Sequence, residues 1–155
     1  MRWLLLALLF LAQGAVGAEF VGRVVSIQDG DTLTVLVSRE QIRVRLTEID
    51  APEHNQPFGT RSRQSLGELC ANRDARVRVM GKDRYGRTLG RVVCSTVDAN
   101  AEQVRRGMAW VFDHYVTDRS LYAVQDEARE ARRGLWADQN PVPPWKWRER
   151  RRAGK

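Results

Sequence analysis

Four short clusters of carboxylates, arginines and aromatics punctuate this 155-residue chain. They are Asp29-Gly30-Asp31-Thr32, then Arg45 followed by Asp50-Ala51-Pro52-Glu53, then Arg84-Tyr85-Gly86-Arg87, and finally Trp110 to Tyr115. Carboxylates and backbone carbonyls are the oxygen ligands that a hard cation such as Ca²⁺ takes. Guanidinium groups neutralise, through paired hydrogen bonds, the charge that a phosphodiester gains in its transition state. A carboxylate kept off the metal orients or deprotonates an attacking water. Each cluster alone has an ordinary reading: a hairpin turn, a loop, a solvated surface charge. In this order they form a set suited to phosphodiester hydrolysis.

Composition narrows the partners. Hydrophobic residues at 43% and charged residues at 29% describe a globular chain of about one domain and exclude a wholly disordered or multi-spanning one. Lys and Arg number 26 against 19 Asp and Glu, a formal charge of +7. So basic a domain suits a polyanion, either nucleic acid or an anionic membrane surface. A basic membrane-binding protein would leave Asp31, Asp50 and Glu53 without a purpose.

The first residues bear on compartment. Arg2 precedes an apolar run from Leu4 to Ala12, and small residues end at Gly17-Ala18 before Glu19. That pattern predicts a secretory signal peptide over residues 1–18, with an uncleaved anchor as the alternative. The run is short of the roughly 20 apolar residues that span a bilayer. The expected protein is therefore exported, periplasmic or secreted, with no stable membrane association once the signal is cleaved, and monomeric. Export makes Cys70 and Cys94 a candidate disulfide, stabilising by about 2–4 kcal/mol; two buried free thiols are the alternative.

The clusters need a scaffold. Residues 20–28, 32–38 and 41–49 read as strands, with Leu33, Val35 and Val37 on one face and Ile42, Val44 and Leu46 likewise together. A helix is predicted from Thr60 to Cys70, then strands over 75–80 and 88–94. Asn100 is expected to cap a helix over 101–106 that stops at Gly107. From Ser120, the positions Leu121, Val124, Ala128, Ala131 and Leu135 form an apolar stripe ending at Gly134. Pro141, Pro143 and Pro144 are expected to forbid further regular structure. The fold class is mainly β within α+β, a five-stranded barrel with three helices. Residues 19–139 would be that domain and residues 140–155 a Pro/Trp/Arg-rich tail.

At this point the chain resembles the staphylococcal nuclease family over nearly all of residues 20–136. The resemblance is carried by Asp29-Gly30-Asp31-Thr32, by Arg45-Leu46-Thr47-Glu48-Ile49-Asp50-Ala51-Pro52-Glu53, by Asp83-Arg84-Tyr85-Gly86-Arg87 and by Gly107-Met108-Ala109-Trp110-Val111. It implies an OB-fold barrel and Ca²⁺-dependent hydrolysis of DNA and RNA, breaking the bond between phosphorus and the 5′ oxygen to leave 3′-phosphate ends. It implies Asp31, Asp50 and the carbonyl of Ala51 as metal ligands, Glu53 as the residue acting on water, and Arg45 and Arg87 as phosphate clamps. Arg84 and Tyr85 would hold a terminal phosphate and Tyr115 would flank a base. Asp113 stands where the best-known member has a second tyrosine, which removes one stacking face. A catalytically silent OB-fold module that only binds nucleic acid is the alternative, although silent domains usually lack the carboxylates or arginines retained here.

Other residues have plainer expectations. His54 reads as a loop surface histidine, His114 sits near the presumed base site, and Trp110 reads as core. Trp145 and Trp147 either stack on bases or pack on the barrel, and residues 148–155 read either as phosphate contacts or as a disordered charged end.

Overall fold

The computed structural model describes residues 17–154. The apolar run on which the export signal rests lies outside the described residues. Among the described residues no helix is long and apolar enough to cross a membrane.

Alternating apolar residues build a meander first: β1 (Glu19–Asp29), β2 (Thr32–Val37) and β3 (Glu40–Leu46). A two-residue strand β4 (Ile49–Asp50) and helix α1 (Gly59–Cys70) follow. The hairpin of β5 (Asp74–Lys82) and β6 (Thr88–Cys94) comes next, then the short β7 (Val97–Asp98), α2 (Ala99–Arg105) and β8 (Trp110–Val111). The chain ends in α3 (Ser120–Glu130), a 3₁₀ turn (Gly134–Ala137) and α4 (Pro144–Ala153).

Five strands close into a barrel. Antiparallel pairing runs β3-β2-β1-β5-β6, and a parallel contact between β3 and β6 shuts the ring with Val44 opposite Thr88 and Arg45 opposite Leu89. Register shifts between Val24 and Ser26 and between Ile27 and Asp29 mark irregularities that bend the long β1 around the ring. Val24, Leu33, Val35, Val44, Leu46, Val77 and Val92 are wholly buried inside, and Leu66 of α1, Val104 of α2 and Leu121 of α3 plug the ring with them. Each such side chain stabilises by about 1.5–3 kcal/mol. This is the OB-fold barrel that the resemblance implies.

The helices depart from expectation in three places. Asp98, not Asn100, caps α2, accepting from the Ala101 N–H at 3.0 Å. Asn100 is buried instead, where its amide takes the Val92 N–H and gives to the Thr47 carbonyl, tying β6 to the turn after β3. Helix α3 stops at Glu130 and leaves Ala131 exposed, because Arg132 turns into positive φ (51°). Beyond it Gly134 (φ 53°) lies back to back with Gly107 (φ 66°); a Cβ on either would meet a carbonyl oxygen of the other strand of chain at 2.1–2.2 Å. Finally, there are four α-helices rather than three among the described residues, because residues 144–153 form α4. Pro144 occupies the first turn of α4, where its missing N–H costs nothing and its fixed φ suits the helix. The proline expected to forbid structure starts it.

Cys70, the last residue of α1, is disulfide-bonded to Cys94, the last of β6, with their Cα atoms 5.2 Å apart. A second apolar cluster gathers Trp110, Ala128, Leu135 and Trp136, with Phe58 and Trp145 packed against it.

Candidate active site

Strand register assembles the acidic centre. The β1–β2 turn delivers Asp31, and pairing of Thr32 with Arg45 sets that carboxylate beside the end of β3. Gly30 makes the turn possible by its size: a Cβ there would lie 1.8 Å from Ser62 Oγ and 2.8 Å from the Ala51 Cβ. The buried amide of Gln103 donates to the Gly30 carbonyl at 2.7 Å and fixes the turn from α2. Asp50 is set by β4, whose partner β8 places Trp110 opposite it, while Gln125 of α3 accepts the Val111 N–H at 2.8 Å.

The two carboxylates converge. Asp31 Oδ2 accepts the Ala51 N–H at 2.9 Å and Asp31 Oδ1 accepts the Thr32 hydroxyl at 3.0 Å. Arg45 Nη2 lies 3.4 Å from Asp31 Oδ2 and 3.0 Å from Asp50 Oδ1. Both acids are buried, Asp50 almost completely. Burial works against the charge on Asp31, but Arg45 and the Ala51 N–H outweigh it and hold that carboxyl below its usual range. At Asp50 burial wins, with the Asp31 charge adding to it, and the pKa is raised. Burial and the charge of Asp31 push Asp29, at the end of β1, up to about 7.

Glu53 follows in a turn whose backbone is pinned by Gln56: the Glu53 N–H donates to Gln56 Oε1 at 3.1 Å, and Gln56 Nε2 donates to the Val142 carbonyl at 2.6 Å. The β5–β6 loop carries Arg87 and is organised by Asp83. Asp83 Oδ1 accepts the N–H groups of Tyr85 and Arg87, and Oδ2 accepts Arg87 Nε at 2.7 Å. Arg84 and Arg87 place their guanidinium groups 4.9 and 5.7 Å from the centre of the exposed Tyr85 ring.

All of Asp31, Asp50, Ala51, Glu53, Arg45, Arg87, Arg84, Tyr85 and Tyr115 line one cleft of 630 Å³. Tyr115 is exposed and meets Phe112 edge-on at 5.3 Å. Asp113 accepts the Tyr122 hydroxyl at 2.6 Å and is not part of the cleft wall. His54 and His114 are exposed and outside the cleft lining. Trp110 is core, packed against Trp136 at 4.4 Å. Trp145 packs on Phe112 and Trp110, which decides for packing on the protein body over a free stacking platform, and the half-buried Trp147 lines a small pocket together with Phe58 and Trp110.

Residues 43–138 match the family model described as staphylococcal nuclease homologue. The chain belongs to the staphylococcal nuclease family. Relatives agree along the length of this nuclease. An Escherichia coli protein named as an uncharacterized endonuclease is 42% identical over 97% of this chain and 99% of its own. A Shigella flexneri protein named micrococcal nuclease is 47% identical over 84% of this chain and 82% of its own. A Haemophilus influenzae protein, also named as an uncharacterized endonuclease, is 46% identical over 81% and 71% respectively.

Among the described residues of the nuclease, no three His, Cys, Asp or Glu side chains close on a point that could hold a metal ion. The set that fits a hard cation is a pair, Asp31 and Asp50, supplemented by main-chain oxygen. Its chemistry is suitable: the two carboxylates are hard oxygen donors close enough together to share one guanidinium nitrogen of Arg45.

Three residues of the cleft have places that the sequence does not specify. Asp29 reads there only as part of a turn and motif, Asp83 only as part of a motif, and Arg148 only as one of the charged residues of the tail. The third, Arg148, comes from α4: Nη2 lies 2.7 Å from Asp50 Oδ2 and Nη1 lies 2.7 Å from Glu53 Oε1. Its signal was Pro144 read as a helix start, which puts Trp145 and Arg148 on one helical face.

Proposed function

We propose that this nuclease is an exported, Ca²⁺-dependent phosphodiesterase that hydrolyses DNA and RNA to products with 3′-phosphate ends. The observation that carries this reading is the meeting of two buried carboxylates, Asp31 and Asp50, at the floor of a cleft whose other charged walls are largely arginine.

Asp31, Asp50 and the Ala51 carbonyl would hold the ion. When bound, Ca²⁺ supplies charge neutralisation at the phosphate and polarises its phosphorus–oxygen bonds. The remaining work falls to side chains. Glu53 orients a water and takes its proton as the water oxygen bonds to phosphorus. The bond from phosphorus to the 5′ oxygen breaks, leaving phosphate on one fragment's 3′ oxygen, while the departing 5′ oxygen takes a proton from solvent water and becomes a hydroxyl. Arg45 and Arg87 neutralise charge that grows on the phosphoryl oxygens during the step. Arg84 and Tyr85 grip a neighbouring phosphate and Tyr115 supports a base by stacking. Contacts of this kind reach phosphate and ring faces rather than base edges, which suits a substrate range covering both nucleic acids.

Digestion of end-labelled single-stranded DNA and RNA with Ca²⁺, then with a chelator, tests the reading. The expected result is cleavage that stops on chelation and leaves 3′-phosphate termini. Cleavage that persists in chelator, or 5′-phosphate products, would overturn it. Glu53→Gln should turn over about 10²-fold more slowly than wild type.

A further inference from the structure

Helix α4 is fixed in place before it reaches the site. Trp145 stacks on Phe112 with ring centres 5.5 Å apart and meets Trp110 edge-on at 5.8 Å, while Gln56 holds the Val142 carbonyl just ahead of the helix. Three residues beyond Trp145, Arg148 leaves the same helical face and directs both terminal nitrogens at acids. Nη2 lies 2.7 Å from Asp50 Oδ2; Nη1 lies 3.3 Å from Asp50 Oδ1 and 2.7 Å from Glu53 Oε1. Arg45 Nη2 takes Asp50 Oδ1 as well, at 3.0 Å. Both oxygens of Asp50, a residue only 1% exposed, are therefore engaged by guanidinium.

A divalent cation at Asp50 needs those same lone pairs. In a partly dehydrated cleft, like charges a few ångströms apart repel far more strongly than in bulk water. We propose that Arg148 is a further active-site residue, a positioning residue that holds Asp50 and Glu53 together and competes with a divalent cation for their oxygens. This deepens the proposed function and rests on its assignment of Asp50 to the cation. The moving part is the side chain and not the helix: the aromatic anchor precedes Arg148, whose side chain keeps 34% of its surface in solvent. Released from the carboxylates, the guanidinium stays in a cleft that Arg152 of the same helix also lines, where phosphate oxygens offer it a new bidentate acceptor.

Calorimetric titration of Ca²⁺ into the full chain, without nucleic acid, tests the competition. Arg148→Gln should bind Ca²⁺ about tenfold more tightly than wild type. Arg150→Gln makes the same charge change on an exposed position of α4 and should move the affinity less than about twofold. Arg148→Lys keeps the charge and the stem but loses the two-pronged grip, and should tighten binding several-fold; it also serves if the glutamine variant fails to fold. A merely structural tail contact would leave Ca²⁺ affinity unchanged or weakened in both Arg148 variants. That result overturns the competition while the cation assignment stands. Absence of Ca²⁺ binding in every variant, each shown folded by circular dichroism, overturns both.

Discussion

Arg45 Nη2 sits 3.0 Å from Asp50 Oδ1 and 3.4 Å from Asp31 Oδ2, so one nitrogen bridges two buried carboxylates, one brought in by the β1–β2 turn and the other by β4. Arg87 is different, being half-buried and, among the described residues, ion-paired only with Asp83 of its own loop. The two arginines should therefore separate under mutation. Arg45→Ala leaves buried acids short of a partner, costing about 3 kcal/mol of stability, and lowers kcat by about 10²-fold or more. Arg87→Ala should match that kcat loss yet cost about 1 kcal/mol or less. Steady-state kinetics beside thermal melts decide it. Unchanged kcat with raised KM in Arg87→Ala would remove that residue from the transition state.

A methyl group at residue 30 should do more damage than most mutations of a catalytic side chain. Gly30→Ala drives a Cβ into Ser62 Oγ and Ala51, forcing the Asp31 turn off α1. Melting should fall by the equivalent of about 2 kcal/mol or more, with Ca²⁺ affinity falling in parallel. A variant with wild-type melting and Ca²⁺ binding would show that the turn tolerates the group.

The link between Cys70 and Cys94 closes a loop of 24 residues joining the end of α1 to the end of β6. Replacing both cysteines by alanine should lower stability by about 3 kcal/mol. Denaturant unfolding of oxidised and mutant protein measures it. Equal thiol titration of the native and reduced protein would contradict the bond.

Much of this was legible in the sequence, and what was not has physical causes. Leu33, Val35, Val44 and Leu46 alternate as strand cores must, and the barrel follows from them. Asp31, Asp50 and Arg45 stand in clusters that residue type and order single out, and the fold brings the three together. Arg148 is hidden because its partners Asp50 and Glu53 lie far back in the chain, and only a packed helix, started by a proline that reads as a stop, brings it there. Asn100 was hidden by its neighbour, since Asp98 takes the cap and frees the amide to be buried between β6 and Thr47. Ala131 continued a stripe whose helix had already ended, because nothing in a hydrophobic period marks Arg132 for positive φ.

Acid should weaken the fold through Glu48. Burial alone would raise its pKa, but the Asp118 N–H, the Thr117 hydroxyl and N–H and the Arg91 guanidinium outweigh burial and hold it below the usual value. The unfolded chain then takes up the proton first as pH falls. The contribution is complete above about 4.5 and is lost as pH drops through the lowered native value. Glu48→Gln should melt lower at neutral pH, by the equivalent of about 2 kcal/mol, and show a flatter acid limb. Parallel acid limbs in variant and wild type would assign the acid sensitivity to another group.

The seam between β3 and β6 carries a kinetic consequence. Arg45 lies in that seam and Arg87 one residue before it, so each hairpin can form alone with its own arginine while the two remain apart. Joining distant hairpins edge to edge is a late event, since the intervening chain must first be confined. On the proposed reading, which gives both arginines a part in hydrolysis, a nascent chain gains that competence only when this seam closes.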